Sequence, residues 1–356
     1  MSRSVDHPID FVITWVDGND PAWLNEQKKY QAENLEMNGP ERFRDWENLQ
    51  YLFRAFEYFT PWVNKVHFVT WGHVPDWLNK THPKLNIVRH EDFLDPNDLP
   101  VFNINAIEIN LHRIIGLSER FVFFNDDTFL LKALTPSVFF KHGLPVNAMI
   151  SNIMHQGAIA PIVLNDIELI NKHFNRHKGQ RLTKRGIARK HFWKWFYPGY
   201  GFRLLDTLFL MYWKTFSGFV TYHQPQPFLK RIFQDVWNNE EELLRRVSAS
   251  KFRSNTDVNQ YLFRYWQFVT GNFTPDTFTN AFKRRKYVEL RSVDDVVQAC
   301  ADIIDGDYQM YCLNDSMSKG RFTDRSLSDI EIDKCKKLLI HALDKKLPRK
   351  SSFECD

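Results

Sequence analysis

The feature that most constrains this chain is an alternation of two patterns. Short apolar, β-rich runs recur at residues 9–15 (IDFVITW), 65–70 (KVHFVT), 85–89 (LNIVR) and 120–124 (RFVFF). Runs of this length and composition suit strands better than helices. Between the first and second runs, Leu49, Leu52, Phe53, Phe56 and Phe59 share one face of a helix predicted over 46–59, and Pro61 follows as a stop. Before the fourth run, Ile104, Ile107, Leu111, Ile114 and Ile115 do the same over 104–115, where Gly116 supplies an end. Strands alternating with helices predict an α/β fold with a largely parallel sheet flanked by helices. In such sheets ligands bind beyond the carboxyl ends of the strands. Two acidic clusters stand at such ends. Asp17 follows the first strand in Trp15-Val16-Asp17-Gly18-Asn19-Asp20-Pro21, and Asn125-Asp126-Asp127 follows the fourth. A parallel topology can bring them to one edge.

Past residue 150 the pattern changes. Residues 226–247 and 256–269 read as helices and no long sheet-like alternation is visible, so this half is expected to be mainly helical. Ser328 and Glu331 form a capping-box pattern ahead of Ile332, Cys335, Leu339 and Leu343, an amphipathic C-terminal helix. The chain is therefore expected to divide into 1–150, 151–325 and 326–356. Residues 172–196 carry nine Lys and Arg and end in Phe192-Trp193-Trp195-Phe196. Such a segment suits an anionic polymer, lipid headgroups or a solvated face.

Composition narrows the functional classes. The 356 residues, 43% hydrophobic and 25% charged, are enough to bury a core, and global disorder is excluded. A net charge of +4 with no recognised motif argues against nucleic acid. The start, MSRSVDHPIDFV, has no apolar h-region and does not read as a signal peptide. No run approaches the ~18 apolar residues of a membrane span. Leu204–Trp213 is the richest and contains Asp206. The cysteines, Cys300, Cys312, Cys335 and Cys355, lack CxxC spacing, which gives no zinc signature and suits a reduced, cytoplasmic chain. Aromatic residues make up 15%, with 31 Phe and 11 Trp. They fit sugar or base stacking, a membrane-facing surface, or a bulky core.

Several residue types at these positions point to chemistry, each beside a plainer alternative. Adjacent carboxylates at Asp126 and Asp127 suit a divalent cation, or form a solvated turn. Asp17 suits a ribose hydroxyl or a metal-held water, or caps a turn. Asn110, His112 and Arg113 on the helix before the acidic strand can meet a phosphate, or be a helix end favoured by the dipole. Arg44, in Arg42-Phe43-Arg44-Asp45, is placed similarly. His223, in Thr221-Tyr222-His223-Gln224-Pro225, is a general-base candidate or a structural histidine. Arg253, ahead of a helix start, can grip phosphate or be a surface arginine. Asn314-Asp315 repeats an Asn-Asp pair after an apolar stretch.

Together these stretches resemble the Stealth family. IDFVITWVDGNDPAW, then RFRDWENLQYLFRAFEYFTPWVNKVHFVTWG and NLHRIIGLSERFVFFNDD, resemble its first two signature regions. FVTYHQPQPFLKRIFQDVW with KFRSNTDVNQYLFRYWQ resembles the third, and CLNDSMSK the fourth, in the family's order over residues 9–320. The resemblance implies a nucleotide-sugar transferase-like fold and transfer of a sugar-1-phosphate from a UDP-sugar, with UMP released. The implied acceptor is a saccharide hydroxyl of a capsular or exopolysaccharide chain, free or lipid-linked. The implied cofactor is Mg²⁺ or Mn²⁺ on Asp126 and Asp127. His223, Arg253, Asp127 and Asp17 are implied in catalysis, and Trp15, Arg44, Asn110, His112, Arg113, Asn125, Asn314 and Asp315 in substrate binding. FNINAIE departs from the Ser-His pair many relatives carry, with Ile104 and Asn105 in its place, so no role is implied for that loop. The implied setting is bacterial and cytoplasmic, with a peripheral contact at the inner face of the plasma membrane. The alternatives are a metal-dependent glycosyltransferase releasing UDP and a non-catalytic polysaccharide-binding protein.

Overall fold

The computed structural model describes residues 7–30, 38–154, 157, 159–175, 183–221, 223–317 and 327–355. Residues 176–182 of the basic segment, Tyr222, and Ser318 and Lys319 of the fourth signature stretch lie outside the described residues.

Strand β1 (Ile9–Thr14) is buried along its whole length. It pairs in parallel with β2 (Val66–Thr70) on one side and β4 (Arg120–Asn125) on the other. Strand β3 (Leu85–Arg89) extends the sheet beyond β2, also in parallel. Near-continuous apolar runs are what strands covered on both faces require. Helices α1 (Pro21–Gln27) and α2 (Leu49–Phe59) lie between β1 and β2, and α3 (Ile104–Glu108) precedes β4. The helix predicted over 104–115 is broken. After α3 the chain makes a single 3-10 turn at Leu111–Arg113, and Ile115 is exposed. The Asn110 amide turns back to the Ala106 carbonyl (2.8 Å), a local bond that competes with helix continuation.

The C-terminal half is not only helical. Residues 226–247, expected as one helix, open with strand β8 (Gln226–Leu229), antiparallel to β4, and become α8 (Lys230–Ala249) only afterwards. β8 closes the order β3-β2-β1-β4-β8 at an edge, where Pro227 and its missing N–H are tolerated. A second sheet pairs β5 (Thr128–Leu130) antiparallel with β11 (Met310–Asp315), which runs parallel to β10 (Arg285–Leu290). A third, small sheet joins β6 (Phe140–Lys141), β7 (Leu144–Asn147) and β9 (Thr274–Pro275). Strands from before and after residue 150 thus pair in all three sheets, which the local pattern did not foretell.

The remaining helices are α4 (Ala160–Phe174), α5 (Lys184–Lys190), α6 (Phe192–Trp195), α7 (Leu204–Leu210), α9 (Gln260–Thr270), α10 (Val293–Asp305) and α11 (Asp329–Lys346). The capping box of α11 forms in both directions between Ser328 and Glu331, and Cys335, Leu339 and Leu343 are buried. Much of the aromatic surplus is core: Phe11, Phe53, Phe56, Phe68, Phe121, Phe123 and Phe124 are fully buried. The 192–196 cluster divides, with Trp195 inside and Trp193 outside. No described helix is long and apolar enough to cross a membrane.

Candidate active site

Thr14 and Asn125 are register partners in neighbouring parallel strands, so the loops after β1 and β4 leave the same edge side by side. Gly18 makes the first loop feasible: a Cβ there would stand 1.7 Å from the Phe43 carbonyl oxygen. Asp17 Oδ1 accepts the Asn19 amide (2.8 Å), and the Asp17 amide donates to His73 Nε2 (2.8 Å). Trp15 stacks on Phe68, with centroids 5.7 Å apart at 26°.

The antiparallel pairing of β8 with β4 delivers His223. Gln226 pairs with Phe123, so the residues just before β8 arrive beside those just after β4. His223 Nε2 lies 3.1 Å from Asp127 Oδ2 and 2.9 Å from the side-chain amide of Asn125. With the Nε2 proton on Asp127, the Asn125 amide turns to offer its oxygen instead. Asp127 Oδ1 accepts from Thr128 Oγ1 (3.0 Å). The Asp127 and His223 side chains keep 22% and 33% of their surface exposed, so a substrate can reach them. Burial opposes charge on both. The attraction between them, with their hydrogen bond, prevails, and it draws Asp127 down and His223 up.

Asp126 opens to solvent beside this pair. Surrounding protein, then the charges of Asp127 and Asp45, push its carboxyl up to about 7. Access to water moderates the protein's share; the two neighbouring acids secure the direction. Cys312 is drawn in by the pairing of β11 with β5, opposite Thr128. Asp127, His223 and Cys312 can present ligand atoms within 4.8 Å of one another. Burial and Asp127 raise the Cys312 thiol, which stays protonated. Cys312 is thus a hydrogen-bond partner of Asp127, and the hard oxygens of the acids are the better match to a divalent cation.

Arg253 is half-buried, and its backbone is clasped by Asn38, whose side chain bonds both its N–H (3.1 Å) and its C=O (3.2 Å). Burial and then Arg42 bring the guanidinium down to about 10, with Glu108 and Asp257 opposing. It remains a cation at neutral pH. Asp257 Oδ2 accepts from Asn103 (2.9 Å), Asn105 (3.0 Å) and the Ser254 amide (3.1 Å). The FNINAIE stretch, most of it α3, therefore fixes the segment that carries Arg253. Buried Glu108 accepts from the Gln260 amide and side chain (3.3 and 3.1 Å), and burial pushes it up to about 7.

Sequence reasoning missed Glu108, Asp45 as a charge neighbour, and Cys312. For Glu108 a signal existed: a carboxylate flanked by Ile107 and Ile109 rarely goes inside without a partner. For Cys312 none did, because its place depends on pairing between strands distant in sequence.

Other candidate residues point elsewhere. Arg44 binds Asp315 (2.6 Å), which also accepts from Trp46 Nε1 (3.2 Å) and the Met317 amide (3.0 Å). Asn314 donates to Ser316 Oγ (3.0 Å). Asn110 donates to Ser248 Oγ (2.7 Å) on α8. His112 packs on Phe233 and Trp237 of the same helix, and the Arg113 guanidinium lies 4.2 Å over the Trp237 ring. Burial drives His112 down to about 3, so it is neutral.

A mainly parallel sheet with acids and a histidine beyond the carboxyl ends of β1 and β4 defines an α/β protein with a polar, charge-handling site. The chain belongs to the Stealth family of phosphotransferases: conserved regions 1 and 2 of Stealth proteins match residues 7–34 and 42–147. Over 351 residues it is 38% identical to the capsular polysaccharide phosphotransferase WcwK of Streptococcus pneumoniae, covering 97% of this chain and 98% of that one. It is 35% identical over 356 residues to the exopolysaccharide phosphotransferase cps2G of Lactiplantibacillus plantarum (99% and 98% covered). It is 36% identical over 355 residues to the receptor polysaccharide phosphotransferase WefC of Streptococcus oralis (97% and 99%). An overlay on the glycosyltransferase LgtC spans 93% of this chain and 95% of that one, at 9% identity and a TM-score of 0.36.

Proposed function

We propose that the chain transfers a hexose-1-phosphate or N-acetylhexosamine-1-phosphate unit from a UDP-sugar to a saccharide hydroxyl. UMP is released and a phosphodiester forms in a capsular polysaccharide or exopolysaccharide. The observation that carries this reading is the His223–Asp127 pair, reachable by solvent, beside the unmatched charge of Asp126. The named activities of the relatives support it.

The acceptor oxygen attacks the β-phosphorus. The new bond joins that oxygen to phosphorus, and the bond from the β-phosphorus to the bridging oxygen breaks as UMP leaves. The sugar–phosphate bond is untouched, so anomeric configuration is kept. With its Nε2 proton held by Asp127, His223 offers Nδ1 to the hydroxyl proton. Arg253 stabilises charge on the transferred phosphoryl oxygens, and catalysis here is mostly positioning and charge. Asp17 and Trp15 sit toward the donor. Asp126 and Asp127 would hold Mg²⁺ or Mn²⁺, whose charge would offset the burial and the Asp127 and Asp45 charges that raise Asp126. Such an ion neutralises diphosphate charge when bound.

In this reading residues 1–150 hold the donor, 151–325 add His223 and Arg253, and 326–356 cover α2 and α10. The reaction runs in the cytoplasm, at the inner membrane face, on a free or lipid-linked acceptor chain. The test is incubation with a panel of UDP-sugars and an acceptor oligosaccharide, followed by nucleotide chromatography and phosphorus NMR. UMP with a phosphodiester signal is expected. UDP would mark a glycosyltransferase instead, and saccharide binding without turnover a non-catalytic protein.

A further inference from the structure

Residues 202–213 carry an inverted amphipathic pattern. Phe202, Leu205, Leu208, Phe209, Tyr212 and Trp213 are between 49 and 79% exposed, while Thr207 and Leu210 face inward. Leu205, Leu208 and Phe209, spaced by three and four, share one face of α7, with Phe202 just before the helix and Tyr212 and Trp213 just after it. A globular helix normally turns such a face to the core; here, among the described residues, it faces out. Exposed Phe192 and Trp193 add aromatic surface on α6.

The rim is basic. Buried Lys184 bonds the carbonyls of Leu210 and Thr215 (2.7 and 3.0 Å), and exposed Arg185 bonds those of Met211 and Tyr212 (3.3 and 3.4 Å). These bonds pin the start of α5 to the end of the patch. Exposed Arg189 and Lys190 lie within about 10 Å of that point along the α5 axis, given a rise of ~1.5 Å per residue. Lys214 follows the patch directly and is exposed. The acid within the stretch, Asp206, is paired with Arg203. The centre is therefore apolar and aromatic, and the rim is positive.

We infer that α7 and its flanks, with α5 as a basic rim, dock this enzyme onto an anionic lipid bilayer. Phe, Leu, Tyr and Trp side chains enter the headgroup boundary while arginine and lysine meet phosphate. The inferred contact is peripheral, through this patch; no described helix is long and apolar enough to cross a membrane. A second copy is the weaker occupant, since a two-fold contact would set this positive rim against itself. The inference deepens the acceptor side of the proposed function, but its readout is lipid binding and does not depend on which nucleotide is released.

The test is co-sedimentation of the full chain with phosphatidylglycerol–phosphatidylcholine vesicles and with phosphatidylcholine alone. Binding to the anionic vesicles, weakened by added salt, is expected. F209E/W213E should cut it by at least about tenfold, and R189E/K190E by roughly tenfold. Turnover on a soluble acceptor should be unchanged in both. Circular dichroism melts check folding, and L205S/Y212S supplies a milder second variant. Wild-type protein left in the supernatant, or sedimentation indifferent to all three variants, would overturn the proposal. So would a dimer in analytical ultracentrifugation that F209E/W213E dissolves while vesicles bind nothing. Vesicle binding together with UDP release would sink the phosphotransfer reading alone.

Discussion

Asn-Asp closes two strands of this molecule, and the two pairs have different surroundings. At the end of β11, Asp315 is met by Arg44, Trp46 and the Met317 amide. Burial raises its carboxyl, and those donors pull against the rise. At the end of β4, Asp126 stands open to solvent beside Asp127 and Asp45 and is pushed up to about 7. A carboxylate whose charge is matched within the fold is positioned to hold structure. One whose charge is left over is positioned to take a ligand's cation. The dipeptide does not distinguish these fates; the partners supplied by other strands do.

The largest effects should separate the two ends by activity. Asp126→Asn and His223→Ala are each expected to lower kcat by about 10²–10⁴-fold, measured as UMP released from a UDP-sugar. Arg253→Ala should cost about 10²–10³-fold. Arg253→Lys should recover only part of that, because an ammonium lacks the guanidinium's planar fork. Near-full turnover in Arg253→Ala would remove this residue from the site. Asp315→Asn makes the opposite trade. Its side chain is 9% exposed and that of Arg44 19%, so losing the charge-assisted bond should cost roughly 1–3 kcal/mol of stability. Urea unfolding measures that loss, and kcat of the folded fraction should hold. A collapse of kcat at unchanged stability would move Asp315 into the catalytic group.

The parts of the fold set by local pattern were legible. The run expected over 85–89 is β3, and the β1 run ends one residue early at Thr14. The Ser328–Glu331 capping box forms as its spacing predicts. That the segments carrying Asp17 and Asp126-Asp127 leave the same edge of the sheet was legible too, because parallel strands send their carboxyl ends to one edge. What failed was long-range. Gln226-Pro227-Phe228-Leu229 reads locally as the start of the helix that follows it, and only pairing with β4 makes it a strand. His223 was singled out from its loop and from the family motif, and its distance to Asp127 rests on that same pairing. His112 and Arg113 were open to a phosphate or to the plainer reading of a helix end favoured by the dipole, and α8 takes up both.

Glu108 decides how far the comparison extends, with the smallest effect. It is buried, bonded by Gln260, and pushed up to about 7 from 4.5 by burial, against the pull of the Gln260 amide, Arg253 and His223. Below about pH 4.5 folded and unfolded chains both hold the proton, and stability is full. As pH rises toward 7 the unfolded chain releases its proton while the folded one keeps it, so stability falls; above 7 the loss is complete. The loss is on the order of 1–3 kcal/mol. Glu108→Gln has no proton to release, so its advantage over the wild type should grow across this window and then level off. Urea midpoints at intervals through the window check this. A flat difference would mean that Glu108 is ionised inside the fold, its charge balanced by Arg253. It would then stand with Asp315 among the matched acids, and Asp126 would be left as the one unmatched carboxylate among the three.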